Sequence, residues 1–564
     1  MKFNEYHYER PDRDAMTASI QLAMEQLKVT ADLAGQTKII DAYYQTQATI
    51  ETMVSLAQVR ASQNIADTFY DQERSYWDET LPLYQELSVE FNRTMLASPL
   101  INELREFYPP QLFTMAEFSL KGFHPDMIPM LQEENRLTSK YSKLIASAQI
   151  EFEGKTYSLA QLTPFTQSED RALRERAVQA RMGYFTAHEA EIDQIYHELV
   201  QVRHQMAGVL GLPSFTELGY IRMMRSDYNA HDVERMRQQV LDVVVPLATK
   251  LYQRQAARLG YDKLRYFDEK FEFLSGNAKP KGSAHDLVEQ AKAMYQELSP
   301  ETHEFFTFMT DRELLDLEAR PNKESGGYCT FFPDYASPFI FSNFNGTSGD
   351  VDVLTHEAGH AFQCYQSRHI PISSCVFPTY ESAEIHSMSM EFFTWPWMDK
   401  FFHEEADKYR FAHLSDAVKF IPYGTLVDAF QHEVYAHPEW TPEERKATWR
   451  RLERAYLPHK DYEGCSILER GGWWFQQGHI FNSPFYYIDY VLAQMCALEF
   501  WKKMHEDRSS AWTDYLTLCQ AGGQYSFLKL VAIAKLHSPF QPGALKRVIT
   551  PISNWLDQVD DRQF

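Results

Sequence analysis

The segment VLTHEAGHAFQCY holds His356, Glu357 and His360 in the pattern H-E-x-x-H, and this spacing dictates its own local structure. Four residues turn an α-helix by about 400°, so the two imidazoles stand one turn apart on the same face. Both can then bind one tetrahedral Zn²⁺ at about 2.0–2.1 Å. Glu357 follows the first histidine and reaches a water beside the ion, not the ion itself. Ala358 and Gly359 are small, which suits a helix buried against a neighbour. Other His-Glu pairs begin at His188, His197, His303, His403, His432 and His505, but none has a histidine at the right distance. At His432 the next histidine is His437, one residue too far and about 140° around the helix.

A catalytic site with one open position needs a third protein ligand. The extended metzincin pattern places Gly and His after the second histidine; here those positions are Gln363 and Gln366, so that class is excluded. A carboxylate from a later helix is the other common solution. PTYESAEIHSMSMEFF follows Pro378, a natural helix start, and offers Glu381, Glu384 and Glu391. One would ligate and the others would orient imidazoles.

The surroundings read as mainly helical. From residue 13 to about 150, apolar residues recur at spacings of three and four, with breaks at Pro109-Pro110 and Pro125. EFEGKTYSLAQL, with Gly154 between two alternating runs, suggests a short hairpin. Helical patterning resumes at Glu169 and, after a turn-rich stretch from Ser275 to Ser283, again at His285. The texture changes at Ser325, where aromatic, Gly and Ser residues replace charge. Tyr328 to Phe332 and Phe339 to Phe344 predict two strands leading into the H-E-x-x-H helix.

Composition narrows the function classes. Lys+Arg 55 against Asp+Glu 78 leaves a net charge of −23, which repels phosphate backbones and anionic membranes. No apolar run reaches the about 18 residues of a spanning helix. The start MKFNEYHYERPDRD lacks an apolar leader segment, and six cysteines without a C-x-x-C predict reduced thiols. The expectation is a cytoplasmic protein with neither nucleic acid nor membrane as a partner.

HEAGHAF followed at this distance by AEIHSMSMEF resembles the thimet oligopeptidase and oligoendopeptidase F family of zinc peptidases, more narrowly the oligoendopeptidase F and Pz-peptidase branch. FIFSNFNGTSGDVDVLTHE and the tail SPFQPGALK are similar to it as well. The resemblance implies a zincin-like core of gluzincin type within a large helical ellipsoid, mainly α, with a deep central channel and one small sheet beside the H-E-x-x-H helix. Residues 1–200 would form an N-terminal wall or cap and residues 201–564 the catalytic domain. It implies one Zn²⁺ held by His356, His360 and Glu384, with Glu357 as general base. It also implies a His and two Tyr donating to the scissile carbonyl, from the stretch RGGWWFQQGHIFNSPFYYIDY. There His479 and Tyr490 match best, with Tyr487 taken as the second tyrosine but Tyr486 left open beside it, and Pro484 a departure from the pattern. From the residues themselves, Phe339 to Phe344 reads either as a strand that pairs with an extended substrate or as ordinary sheet core. The implied activity is cleavage of internal bonds in short peptides. An exopeptidase on the same fold and a non-catalytic peptide-binding protein with a structural metal are the other readings.

Overall fold

A computed structural model describes residues 1–564, and about 70% of them are helical. The N-terminal helices Arg13–Val29, Leu33–Gln63 and Thr68–Leu96 begin where sequence caps them. Asp12, Asp32 and Asp67 each accept backbone N–H bonds from the first turn that follows. The three helices pack on one another around Ile20, Tyr43, Trp77, Tyr84 and Phe91. This core is separate from the larger one of the rest of the chain. Four of its members, Ile370, Ile372, Cys375 and Val376, come from the far side of the sequence, just after the H-E-x-x-H helix.

Two small sheets interrupt the helices. β1 (Ile150–Phe152) and β2 (Lys155–Tyr157) form the hairpin that Gly154 predicts. Glu153 and Gly154 both take left-handed φ values, 48° and 76°, as a two-residue turn of matching twist requires. The second sheet holds β3 (Leu315–Glu318), β4 (Tyr328–Phe332) and β5 (Ser337–Phe344) in the order β3-β5-β4. β4 runs antiparallel to β5 and β3 parallel to it. β5 is therefore the middle strand. Of the two readings for Phe339 to Phe344, this leaves ordinary sheet core, since both of its edges are taken. β4 is the edge on the side away from β3.

β5 leads into the motif helix, Gly349–Ser367. The chain returns through Ser373–Cys375 to the ligand helix, Tyr380–Phe393. These two helices cross almost backbone to backbone at Gly359. A Cβ there would lie 2.6 Å from the carbonyl oxygen of His386 and 2.6 Å from Ser387 Cα. Backbone cannot step aside cheaply, so Gly359→Ala is expected to cost about 1–3 kcal/mol of stability in chemical denaturation. The long helix Tyr487–Ala521, bent at Asp507, packs along the ligand helix and closes the site from the other side. No helix is long and apolar enough to cross a membrane.

Candidate active site

The motif helix and the ligand helix bring three groups to one point. His356 Nε2 and His360 Nε2 lie 3.2 and 3.3 Å from the same oxygen, Oε2 of Glu384. The donor atoms of the three residues lie within 4.8 Å of one another. Two imidazole nitrogens and one carboxylate oxygen are the protein donor set of a three-ligand catalytic zinc site, and they suit a divalent ion. Their electrostatics agree. Burial opposes charge on His356, yet Glu384 and Glu391 lift its pKa well above the usual histidine value. Burial likewise opposes charge on Glu384, yet His360 and His356 hold it well below the carboxylate range. Such a cluster demands positive charge, so a cation would bind in competition with protons.

Of the other two acidic candidates, Glu391 and Glu381 part ways. Glu391 Oε1 lies 2.7 Å from His356 Nδ1, and its Oε2 lies 2.7 Å from His413 Nε2. Trp395 Nε1–H donates to His413 Nδ1 at 3.0 Å. An indole can only donate, so His413 Nδ1 accepts and its proton sits on Nε2, aimed at Glu391. The chain Trp395–His413–Glu391 thus fixes the ring of His356. Sequence reasoning missed His413, which stands on a later helix, Ala406–Ala436, and belongs to no motif. Glu381 reaches neither imidazole; it is buried near Asp489, its carboxylate oxygens bonded to no protein group. Glu391→Ala is expected to weaken metal affinity by about 10–100-fold in a chelator competition assay. Glu381→Gln is expected to leave it unchanged.

Glu357 is buried beside the cluster, and its Oε2 has no protein partner. Burial raises its pKa above the usual carboxylate value. A buried, unbonded carboxylate oxygen is costly unless a water or a substrate meets it.

The stretch from Gly471 to Tyr490 is built of short turns ahead of a long helix. Trp473–Gln476 and Gly478–Asn482 are short helical turns, and His479 stands on the second. A directed set of hydrogen bonds runs through it. Tyr423 O–H donates to Gln477 Oε1 at 2.7 Å, and Gln477 Nε2–H donates to His479 Nδ1 at 2.9 Å. His479 Nε2 then holds the ring proton and gives it to the Tyr490 oxygen, 3.0 Å away. The Tyr490 proton is left pointing onward. Burial lowers the His479 pKa to about 4, so the ring is neutral at ordinary pH.

The structure separates the neighbouring tyrosines. Tyr486 O–H donates to Glu384 Oε1 at 2.5 Å, and its ring stacks on Tyr490 with centroids 5.0 Å apart. Tyr487 packs instead against Phe420 and Tyr423, each 5.8 Å away between centroids, and meets His479 edge-on. Tyr486, not the Tyr487 taken as the second tyrosine, therefore reaches the ligand cluster. The turn before the helix sets this, with Phe485 in a left-handed conformation at φ 67°.

A mainly helical chain with a buried His-His-Glu cluster beside a free carboxylate has the build of a metallopeptidase. Two family models match it. Residues 3–123 match the peptidase M3 N-terminal domain, and residues 165–548 match peptidase family M3. The chain belongs to peptidase family M3, in its oligoendopeptidase F and Pz-peptidase branch. Among solved structures it is similar to a protein provisionally named oligoendopeptidase F, with 52% identity, full coverage of both chains and a TM-score of 0.99. It is also similar to PZ peptidase A, solved with an inhibitor, at 50% identity, full coverage of both chains and a TM-score of 0.99. A third, from Bacillus anthracis str. Ames and again provisionally named oligoendopeptidase F, has 48% identity over 100% of this chain and 99% of its own, with a TM-score of 0.94. No curated protein matches the chain.

Proposed function

We propose that the protein is a cytoplasmic, zinc-dependent oligoendopeptidase that cuts internal bonds of short unstructured peptides. The observation that carries this reading is the free, buried oxygen of Glu357 beside His356, His360 and Glu384. A purely structural metal site has four protein ligands and no use for such a base. His356, His360 and Glu384 would hold Zn²⁺, which when bound polarises a carbonyl and lowers the pKa of water towards about 7.

Each remaining role falls to a residue of the chain. Glu357 accepts a proton from the attacking water and passes it to the leaving amine. Tyr490, its proton directed outward by His479, donates to the scissile carbonyl oxygen as negative charge gathers there. Tyr486 steadies Glu384 and stands beside Tyr490 as the second tyrosine. The free edge of β4 offers backbone N–H and C=O groups to an extended peptide, which gives sequence-tolerant binding. Residues 1–200 would form one wall of a deep channel and residues 201–564 would carry the chemistry, so folded proteins stay out.

The test is a series of quenched peptides from about five residues to an unfolded protein, with products mapped by mass and bound zinc measured alongside. The expected result is cleavage at internal bonds of the short peptides only, lost on chelation and restored by Zn²⁺. Stepwise release of single terminal residues would support the exopeptidase instead. Zinc held without any turnover would favour the binding protein.

A further inference from the structure

The connection from the motif helix to the ligand helix ends at Phe377, Pro378, Thr379 and Tyr380. Beside it opens a cavity of about 220 Å³. Met115 comes from the helix Pro110–Lys121, and Met223 and Met224 follow the helix Phe215–Arg222. These three methionines, with Phe377 and Tyr380, supply its apolar walls.

One of those walls lies beside the ligand cluster and another reaches it through Tyr486. The Phe377 ring lies 6.2 Å from that of His360, and the Tyr380 ring lies 4.5 Å from that of Tyr486, between centroids. Tyr486 in turn bonds Glu384. The cavity therefore begins one side chain away from the proposed metal ligands. Tyr380 is 42% exposed and lines the cavity.

The lining decides what fits. The cation on the wall, Arg222, is already paired with Glu134 at 2.9 Å, so the cavity offers no free charge. Gln111, only 4% exposed, adds a neutral amide to the lining. An apolar cavity of about 150 Å³ is large enough to hold benzene, so 220 Å³ admits a phenylalanine or leucine side chain. Methionine walls are flexible and polarizable, and adapt to several such shapes. Met224 keeps a left-handed φ of 55°, a strained conformation for this residue of the kind concentrated at ligand clamps.

We infer that this cavity is a substrate subsite that takes one large apolar side chain of the peptide close to the scissile bond. The inference rests on the peptidase reading above and adds the specificity to it.

The test compares wild type, Met115→Trp, which fills the cavity, and Met115→Ala, which enlarges it. Each is given quenched peptides that differ at one position, scanned on both sides of the cleaved bond through Ala, Leu, Phe and Trp. Wild type is expected to favour Leu or Phe over Ala at one position by about tenfold or more in kcat/KM. Met115→Trp should erase that preference at that position alone while still cutting the Ala peptide and keeping its zinc. Met115→Ala should shift the preference there towards Trp. If both variants cut the Ala peptide with the wild-type side-chain preferences at every position, the subsite is overturned while the peptidase reading stands. If wild type cuts none of the peptides, the peptidase reading falls and the subsite falls with it.

Discussion

Glu357→Gln is expected to keep its metal and its fold while kcat falls by about 10²–10⁴, the range of a lost general base. The substitution is nearly isosteric, and Glu357 is not among the three clustered donors, so zinc content should match wild type. KM should change little, because the carboxylate acts on water and not on the peptide. The partner measurement is Glu384→Gln, which weakens a donor that His356 and His360 both face. There zinc content and turnover should fall together, and excess Zn²⁺ should recover part of the rate. A Glu357→Gln enzyme that kept wild-type turnover would leave the site without its proposed base.

Tyr490→Phe should lower kcat by about 10²–10³, the usual cost of one lost donor to a developing oxyanion. The ring remains, so its stacking on Tyr486 and the local packing survive. His479→Asn should approach the same loss, because Tyr490 then loses the group that directs its proton. The pH profile separates direction from charge. With a pKa near 4, His479 does not titrate between pH 5 and 8, so wild type and His479→Asn should give parallel rate profiles there. Stability moves with the opposite sense to a salt-bridged histidine. The unfolded ring takes a proton near pH 6.5, but the folded ring refuses it until about 4. The contribution of His479 is therefore complete above pH 6.5 and is lost as the pH falls from 6.5 towards 4.

Much of this was legible before the structure. The H-E-x-x-H spacing forces two imidazoles together, and the aromatic, Gly-rich texture after Ser325 marks β4 and β5. β3 was not legible. Leu315 to Glu318 is four residues long, alternates with charge, and finds its partner only through parallel pairing with a strand over twenty residues on. Helical arithmetic also explains the acidic candidates. Glu391 lies seven residues from Glu384, about 20° away on the helix, whereas Glu381 is about 60° away and leaves the cluster. The choice between Tyr486 and Tyr487 was beyond periodicity, because either pairs with Tyr490 at helical spacing. A single left-handed residue, Phe485, decides it, its N–H held by Gln431 and its carbonyl by Arg225.

The small N-terminal core carries a consequence for the birth of the chain. Its N-terminal members have all been made by Ala116, but Ile370, Ile372, Cys375 and Val376 belong to the same core. They lie some 250 residues later. At about 5–20 residues per second, a ribosome needs roughly 10–50 s to supply them. For that interval the nascent helices carry an uncovered apolar face, a natural substrate for chaperones. The segment's core is thus completed only when the link between His360 and Glu384 joins it.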